Sequence, residues 1–254
     1  RGVHGQAAFW IDTSIFRDVG IVDSLVETRD FDQLKKQFVI HIIPMVNPDG
    51  VFYGNYRTNL SGHDQTVVGA IPTVAAPEVY YVRKYLSEIN RSNPIALIID
   101  PTDIAASNQL ILSRINSFFY GNPSSETNFA ENTKIFPLLC SKVNKRISYQ
   151  ESTFFVSEDK KNTARVVLHE LFPQAHVYTF EASFYGFRRE KTYETTVQEF
   201  TVESYKKIGR DLLQGYLDYI NINNRNQYEV RDQLLREIVM MSRNTIIDDD
   251  GSDS

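Results

Sequence analysis

Four short apolar runs, separated by segments of helical spacing, constrain this chain more than any other feature. Phe38-Val39-Ile40-His41-Ile42-Ile43 stops at Pro44, and Pro94-Ile95-Ala96-Leu97-Ile98-Ile99-Asp100 has the same character. Arg165-Val166-Val167-Leu168-His169 and Val177-Tyr178-Thr179-Phe180-Glu181 complete the set. Continuous apolar strands belong to sheets covered on both faces. Elsewhere the period changes: Val79, Val82, Leu86 and Ile89 follow Pro77 at i, i+3, i+7 and i+10. This is one stripe of a helix with proline in its first turn. Val202, Tyr205, Ile208, Leu212, Leu213, Tyr216, Leu217 and Ile220 form a longer stripe, and Val230, Leu234, Leu235, Ile238 and Val239 begin another. The spacing predicts strands near 38–43, 94–99, 164–169 and 176–181, and helices over 77–91, 202–221 and 228–242. Alternation of this kind predicts an α/β fold, a mixed sheet with helices on both faces. Segments 44–76 and 101–132 are polar and turn-rich, and read as long loops that carry function or stay disordered.

Composition narrows the function. The 254 residues suit one domain over 1–245, followed by an acidic tail over 246–254 that reads as solvated and disordered. Twenty-seven basic against thirty-two acidic residues leave a net charge of −5, which speaks against a nucleic-acid binder. No run reaches the roughly 18–20 apolar residues that span a bilayer, so no membrane role is expected. The lone Cys140 excludes an internal disulfide or a cysteine-built zinc ribbon. It reads as a small buried hydrophobe in a reducing compartment. None of the five histidines sits in an H-x-x-E, H-E-x-x-H or H-x-H pattern. His41 and His169 fall inside strand runs and are expected to be packed, not ligating. The hydrolase elbow G-x-S-x-G and the phosphate-cradling G-x-x-x-x-G-K-[ST] are absent.

Longer word patterns say more. Ile42-Ile43-Pro44-Met45-Val46-Asn47-Pro48-Asp49-Gly50-Val51 is followed by Gly54-Asn55-Tyr56-Arg57 and Gly62-His63-Asp64. Phe136-Pro137-Leu138-Leu139, Thr163-Ala164-Arg165-Val166-Val167 and Tyr178-Thr179-Phe180-Glu181-Ala182-Ser183-Phe184-Tyr185-Gly186 come later in the same order. Together they resemble the zinc carboxypeptidase family, and within it the cytosolic carboxypeptidase branch. The resemblance runs from Val3 to Ile220, nearly the whole chain. It implies a mostly parallel sheet centre, a cytoplasmic setting and, for the family's enzymes, removal of glutamates from acidic tails such as those of tubulin.

The departures from the family pattern bear on activity. The resemblance implies zinc ligands in H-P-G-E and D-F-H-G-H words, but the chain reads His4-Gly5-Gln6-Ala7 and Asp100-Pro101-Thr102-Asp103-Ile104. His4 is then the one retained ligand, with Ala7 and Thr102 at the other two positions. The family's clamp for a terminal carboxylate corresponds to Thr66-Val67 and is lost. Arg57, matching the arginine that polarises the scissile carbonyl, and Glu181, matching the general base, are retained. Catalytic zinc needs about three protein ligands and an open position to bring bound water to a pKa near 7. No cofactor is therefore expected, unless Asp103 and Asp64 join His4 as substitute zinc ligands. A buried Arg57–Glu181 ion pair is an alternative reading of the two retained groups. Arg188, Arg189 and Lys191 read as a solvated basic loop, or as a surface for acidic tails.

Three readings follow. The first is a catalytically inactive domain kept as a binding or structural module. The second is an active metallocarboxypeptidase. The third is a scaffold piece in a larger assembly, cytoskeletal or ciliary by analogy with microtubule-associated relatives. In the family, earlier strands precede the first zinc histidine, whereas only Arg1, Gly2 and Val3 precede His4. The expectation is a sheet lacking those first strands, completed by further polypeptide or by another chain.

Overall fold

The computed structural model describes residues 6–10, 15–55, 58–63, 76–104, 116–123, 127–183, 185–191, 194–224 and 227–249. Its sheet has five strands: β1 (Gln6–Trp10), β2 (Ile40–Ile43), β3 (Ile95–Ile104), β4 (Ser117–Tyr120) and β5 (His176–Ser183). Their spatial order is β2-β1-β3-β5-β4. The first four in that order are parallel, and β4 closes one side antiparallel to β5. The other side ends at β2, whose outer edge pairs with no strand among the described residues.

Strand alternation sorts the core. Leu97, Ile99, Tyr178, Phe180 and Phe119 point to one face. There they meet α1 (Ile15–Glu27), α2 (Asp32–Gln37), α5 (Thr127–Val143) and α7 (Val202–Asn224) through Ile21, Leu34, Phe136, Leu212 and Leu213. Ile98 and Val177, one residue out of phase, point to the other face. They pack under α4 (Pro77–Ser92) and α6 (Ala164–Leu171), with Val79, Val82, Leu86 and Ile89 of α4 all buried as their spacing predicts. A sheet with both faces covered is what the continuous apolar runs require. α8 (Tyr228–Asp249) forms a third layer, setting Leu234 and Ile238 on Ile135, Leu138 and Leu139 of α5.

From β1 the chain passes by α1 to β2 on one side, then by α4 across to β3 on the other. α1 and α4 lie on opposite faces. Adjacent strands whose connections leave in opposite directions make a switch point, and α/β sheets bind ligands outside the carboxyl ends of strands there. The carboxyl ends of β1 and β3 flank that point here.

Several sequence expectations need correction. Residues 164–169 form helix α6, so His169 is helical, whereas His41 lies in β2 as expected. Segment 44–76 contains a short helix, α3 (Pro48–Tyr53). Segment 101–132 holds the end of β3, all of β4 and the start of α5. The basic residues Arg188, Arg189 and Lys191 lie in a strand, β6 (Gly186–Lys191), which pairs with β7 (Glu194–Glu199). α8 continues to Asp249, so the expected disordered tail is helical over 246–249.

Candidate functional site

The site is built from one row across the sheet. Thr102 on β3 stands opposite Glu181 on β5, and Glu181 in turn stands opposite Phe118 on β4. Counting back along the strands, Thr102 shares a face with Ile98, and Glu181 with Val177. Both therefore face the α4–α6 side, near the carboxyl ends of their strands. Glu181 is held between Phe180 and Ala182, which are fully buried on the opposite face. A slip of one residue would exchange those faces, so the apolar neighbours fix the direction of the carboxylate.

The next row on the same face is Asp100, Thr179 and Tyr120, two residues back and so roughly 7 Å away along the strands. Arg165, from the first turn of α6, lies over it. Its guanidinium caps the Tyr120 ring at 5.8 Å and donates from Nη1 to the Gly121 carbonyl and to Asn122 Oδ1, the latter at 3.1 Å. Asn122 Nδ2 donates in turn to the carbonyls of Val177 (3.2 Å) and Arg165 (3.4 Å), tying β5, α6 and the end of β4 together. Burial pulls the Arg165 pKa down to about 10, opposed by Tyr120 and Asp100, so the group stays charged at neutral pH. The cation is buried, and neutral acceptors together with the field of the Asp100 carboxylate hold it in place. Sequence reading missed this residue, although an arginine opening an otherwise apolar run was the available signal.

A hydrogen-bonded brace shapes the loop after β2. Asn47 caps α3, its Oδ1 accepting from Gly50 N at 3.0 Å and its Nδ2 donating to the Thr58 carbonyl at 3.1 Å. Asn55 Nδ2 donates to the same carbonyl at 3.1 Å, and Asn59 Oδ1 accepts from Ser61 N and His63 N, each at 3.0 Å. A side chain on Gly50 would collide with Asn47 and with the Thr58 backbone. The N-P-D-G-V word is therefore a structural brace in this chain.

The structure brings Thr102 and Glu181 together but does not bring Ala7 to them. Ala7, the second residue of β1, is level with Leu97 on β3, five residues before Thr102. At about 3.3 Å per residue that separates the two levels by roughly 16 Å. The end of β1 at the Thr102 side of the sheet is Trp10, since Phe9 is level with Ile99. His4, Arg57, Asp64, Thr66 and Val67 lie outside the described residues, as does the side chain of Asp103. Among the described residues no cluster of three histidine, cysteine or acidic side chains could hold a metal ion. The described pair offers one carboxylate and one neutral hydroxyl, which does not fit the nitrogen, sulfur and carboxylate set that zinc takes.

Comparison with known proteins defines a carboxypeptidase-like α/β domain. The chain is 31% identical over 207 residues to cytosolic carboxypeptidase 6 of Mus musculus, covering 80% of this chain and 37% of that one. To the Caenorhabditis elegans cytosolic carboxypeptidase 6 it is 31% identical over 231 residues, covering 87% and 47%. Among solved structures, a metallo-carboxypeptidase from Burkholderia cenocepacia superposes with a TM-score of 0.70 at 19% identity, over 85% of this chain and 57% of that one. One from Pseudomonas aeruginosa gives 0.68 at 16%, over 88% and 59%. At such identity these two speak for the fold alone. No protein-family model matches the chain. The chain belongs to the zinc carboxypeptidase family, and within it is similar to the cytosolic carboxypeptidases. It spans less than half the length of these two relatives.

Proposed function

We infer that this chain is a carboxypeptidase-like domain that no longer hydrolyses peptides and is retained as a binding or structural module. The observation that supports this most is Thr102, directly across from Glu181 where the family places a zinc-ligating histidine. A neutral hydroxyl beside a carboxylate supplies neither the Lewis acid nor the activated water that peptide hydrolysis needs. Glu181 then serves as a fixed charge on the sheet. Arg165, one row away on the same face, is a buried compensating cation, and acidic protein segments, the tails of tubulin being the example, are the partners that the family resemblance suggests. The names of the relatives point to a cytosolic setting. No helix among the described residues is long and apolar enough to cross a membrane.

The test is elemental analysis of purified, zinc-supplemented protein, paired with release of glutamate from a polyglutamate peptide. The expected outcome is zinc far below one equivalent and no release above a Glu181→Gln control. Stoichiometric zinc with Glu181-dependent release would establish the active metallocarboxypeptidase instead.

A further inference from the structure

On the outer side of α4, away from Glu181, a groove of about 490 Å³ is lined by Tyr80, Arg83, Lys84, Ser87, Arg91 and, from the end of α6, Leu171, with Glu88 beside them. Tyr80, Lys84, Ser87 and Arg91 recur at i, i+4, i+7 and i+11, which places them along one stripe of the helix. From Tyr80 to Arg91 the stripe runs roughly 16 Å. That is the length of about five residues of extended chain. Three cations face one carboxylate here, on a chain whose net charge is −5. None of the three is held in an ion pair among the described residues. Tyr80 and Leu171 are each 42% exposed, so an aromatic ring and a branched aliphatic side chain offer apolar contact between the charges.

We propose that this groove binds an acidic, extended segment of a partner protein. Its charge is opposite in sign to that of the whole molecule, and its length selects a short peptide. Arg83 and Lys84 meet carboxylates at one end and Arg91 meets one at the other, while Tyr80 and Leu171 cover the peptide's stem. Glu88 sets a register by repelling a carboxylate placed midway. The site stands apart from the Glu181 end of the sheet and does not depend on whether that end hydrolyses peptides.

Fluorescence anisotropy with a labelled hexaglutamate peptide tests it, with hexaglutamine as the neutral control. The expected result is salt-sensitive binding of hexaglutamate alone. The combined variant Arg83→Glu, Lys84→Glu, Arg91→Glu should weaken it by ~tenfold or more, with Arg91→Glu or Lys84→Glu alone costing ~twofold to fivefold. These side chains are at the surface, and circular dichroism checks that each variant keeps its fold. Affinity within twofold of the parent in the folded triple variant would overturn the proposal. So would loss of binding in Arg165→Met but not in the triple variant, which would move the peptide to the Glu181 face. Tighter binding of a hexameric oligodeoxythymidine, lost in the same triple variant, would replace the acidic protein by nucleic acid. Self-association of the unliganded chain, abolished by deleting residues 246–254, would make the occupant a second copy's acidic tail and would likewise overturn it.

Discussion

Pro137 sits inside α5 and has no amide hydrogen to give. The carbonyl four residues earlier, on buried Thr133, accepts instead from the Tyr178 hydroxyl of β5 at 2.6 Å. A helix defect is thus repaired by a strand residue, and the two elements are tied at one point. Tyr178 is 1% exposed, and burial pushes its hydroxyl well above the ordinary tyrosine range, so it stays a donor. Tyr178→Phe leaves a buried carbonyl without its partner and should cost about 1–3 kcal/mol in denaturant unfolding. In a Pro137→Ala background, where the helix amide returns, the same substitution should cost much less. Equal costs in the two backgrounds would show that the hydroxyl does not stand in for the missing amide.

α7 is gripped between α1 and α5 because each contact passes through a glycine. A side chain at Gly20 of α1 would fall on the Lys206 carbonyl of α7. One at Gly215 of α7 would come to 2.5 Å from Cys140 Sγ of α5. Gly215→Ala should destabilise the protein by about 1–3 kcal/mol through overpacking. Adding Cys140→Ala removes the sulfur it strikes, and thermal unfolding should recover part of that loss. No recovery would mean that the backbones themselves are forced apart. The helices with strong stripes, α4, α7 and the start of α8, were legible from spacing alone. α6 was not, because Ala164 to Leu168 are all buried and a short apolar run has no period to read. Chain length held the missing clue: only a few residues separate it from β5, too few for a crossover between parallel strands. At the site, Glu181 and Thr102 were legible as words and the structure makes them neighbours. The placement of Ala7 was not legible, since register depends on which strand lies beside which. Arg165 was hidden for the same reason, because its partners Gly121 and Asn122 are distant in sequence.

At the scale of the whole molecule, strand order governs how the parts are joined. β1, the first strand among the described residues, lies between β2 and β3, and β5 lies between β3 and β4. Both central insertions are made by strands distant in sequence from a neighbour. The pairing of Gln6 with Ile95 spans about 90 residues, a separation whose closure entropy must be met before the contact stabilises anything. The two sheet faces are covered by helices from both halves of the chain, so neither half can finish its core alone. Time is where this order shows itself. A sheet threaded from its middle cannot grow outward from a local hairpin, and refolding should take milliseconds to seconds, not microseconds. The chain's one tryptophan, Trp10, closes β1 and makes the last insertion observable. Stopped-flow fluorescence should show its signal changing with the slowest phase, after the helical circular dichroism has largely returned. A tryptophan signal complete before the helices form would mean that the central strand is the template for the fold and not its final piece.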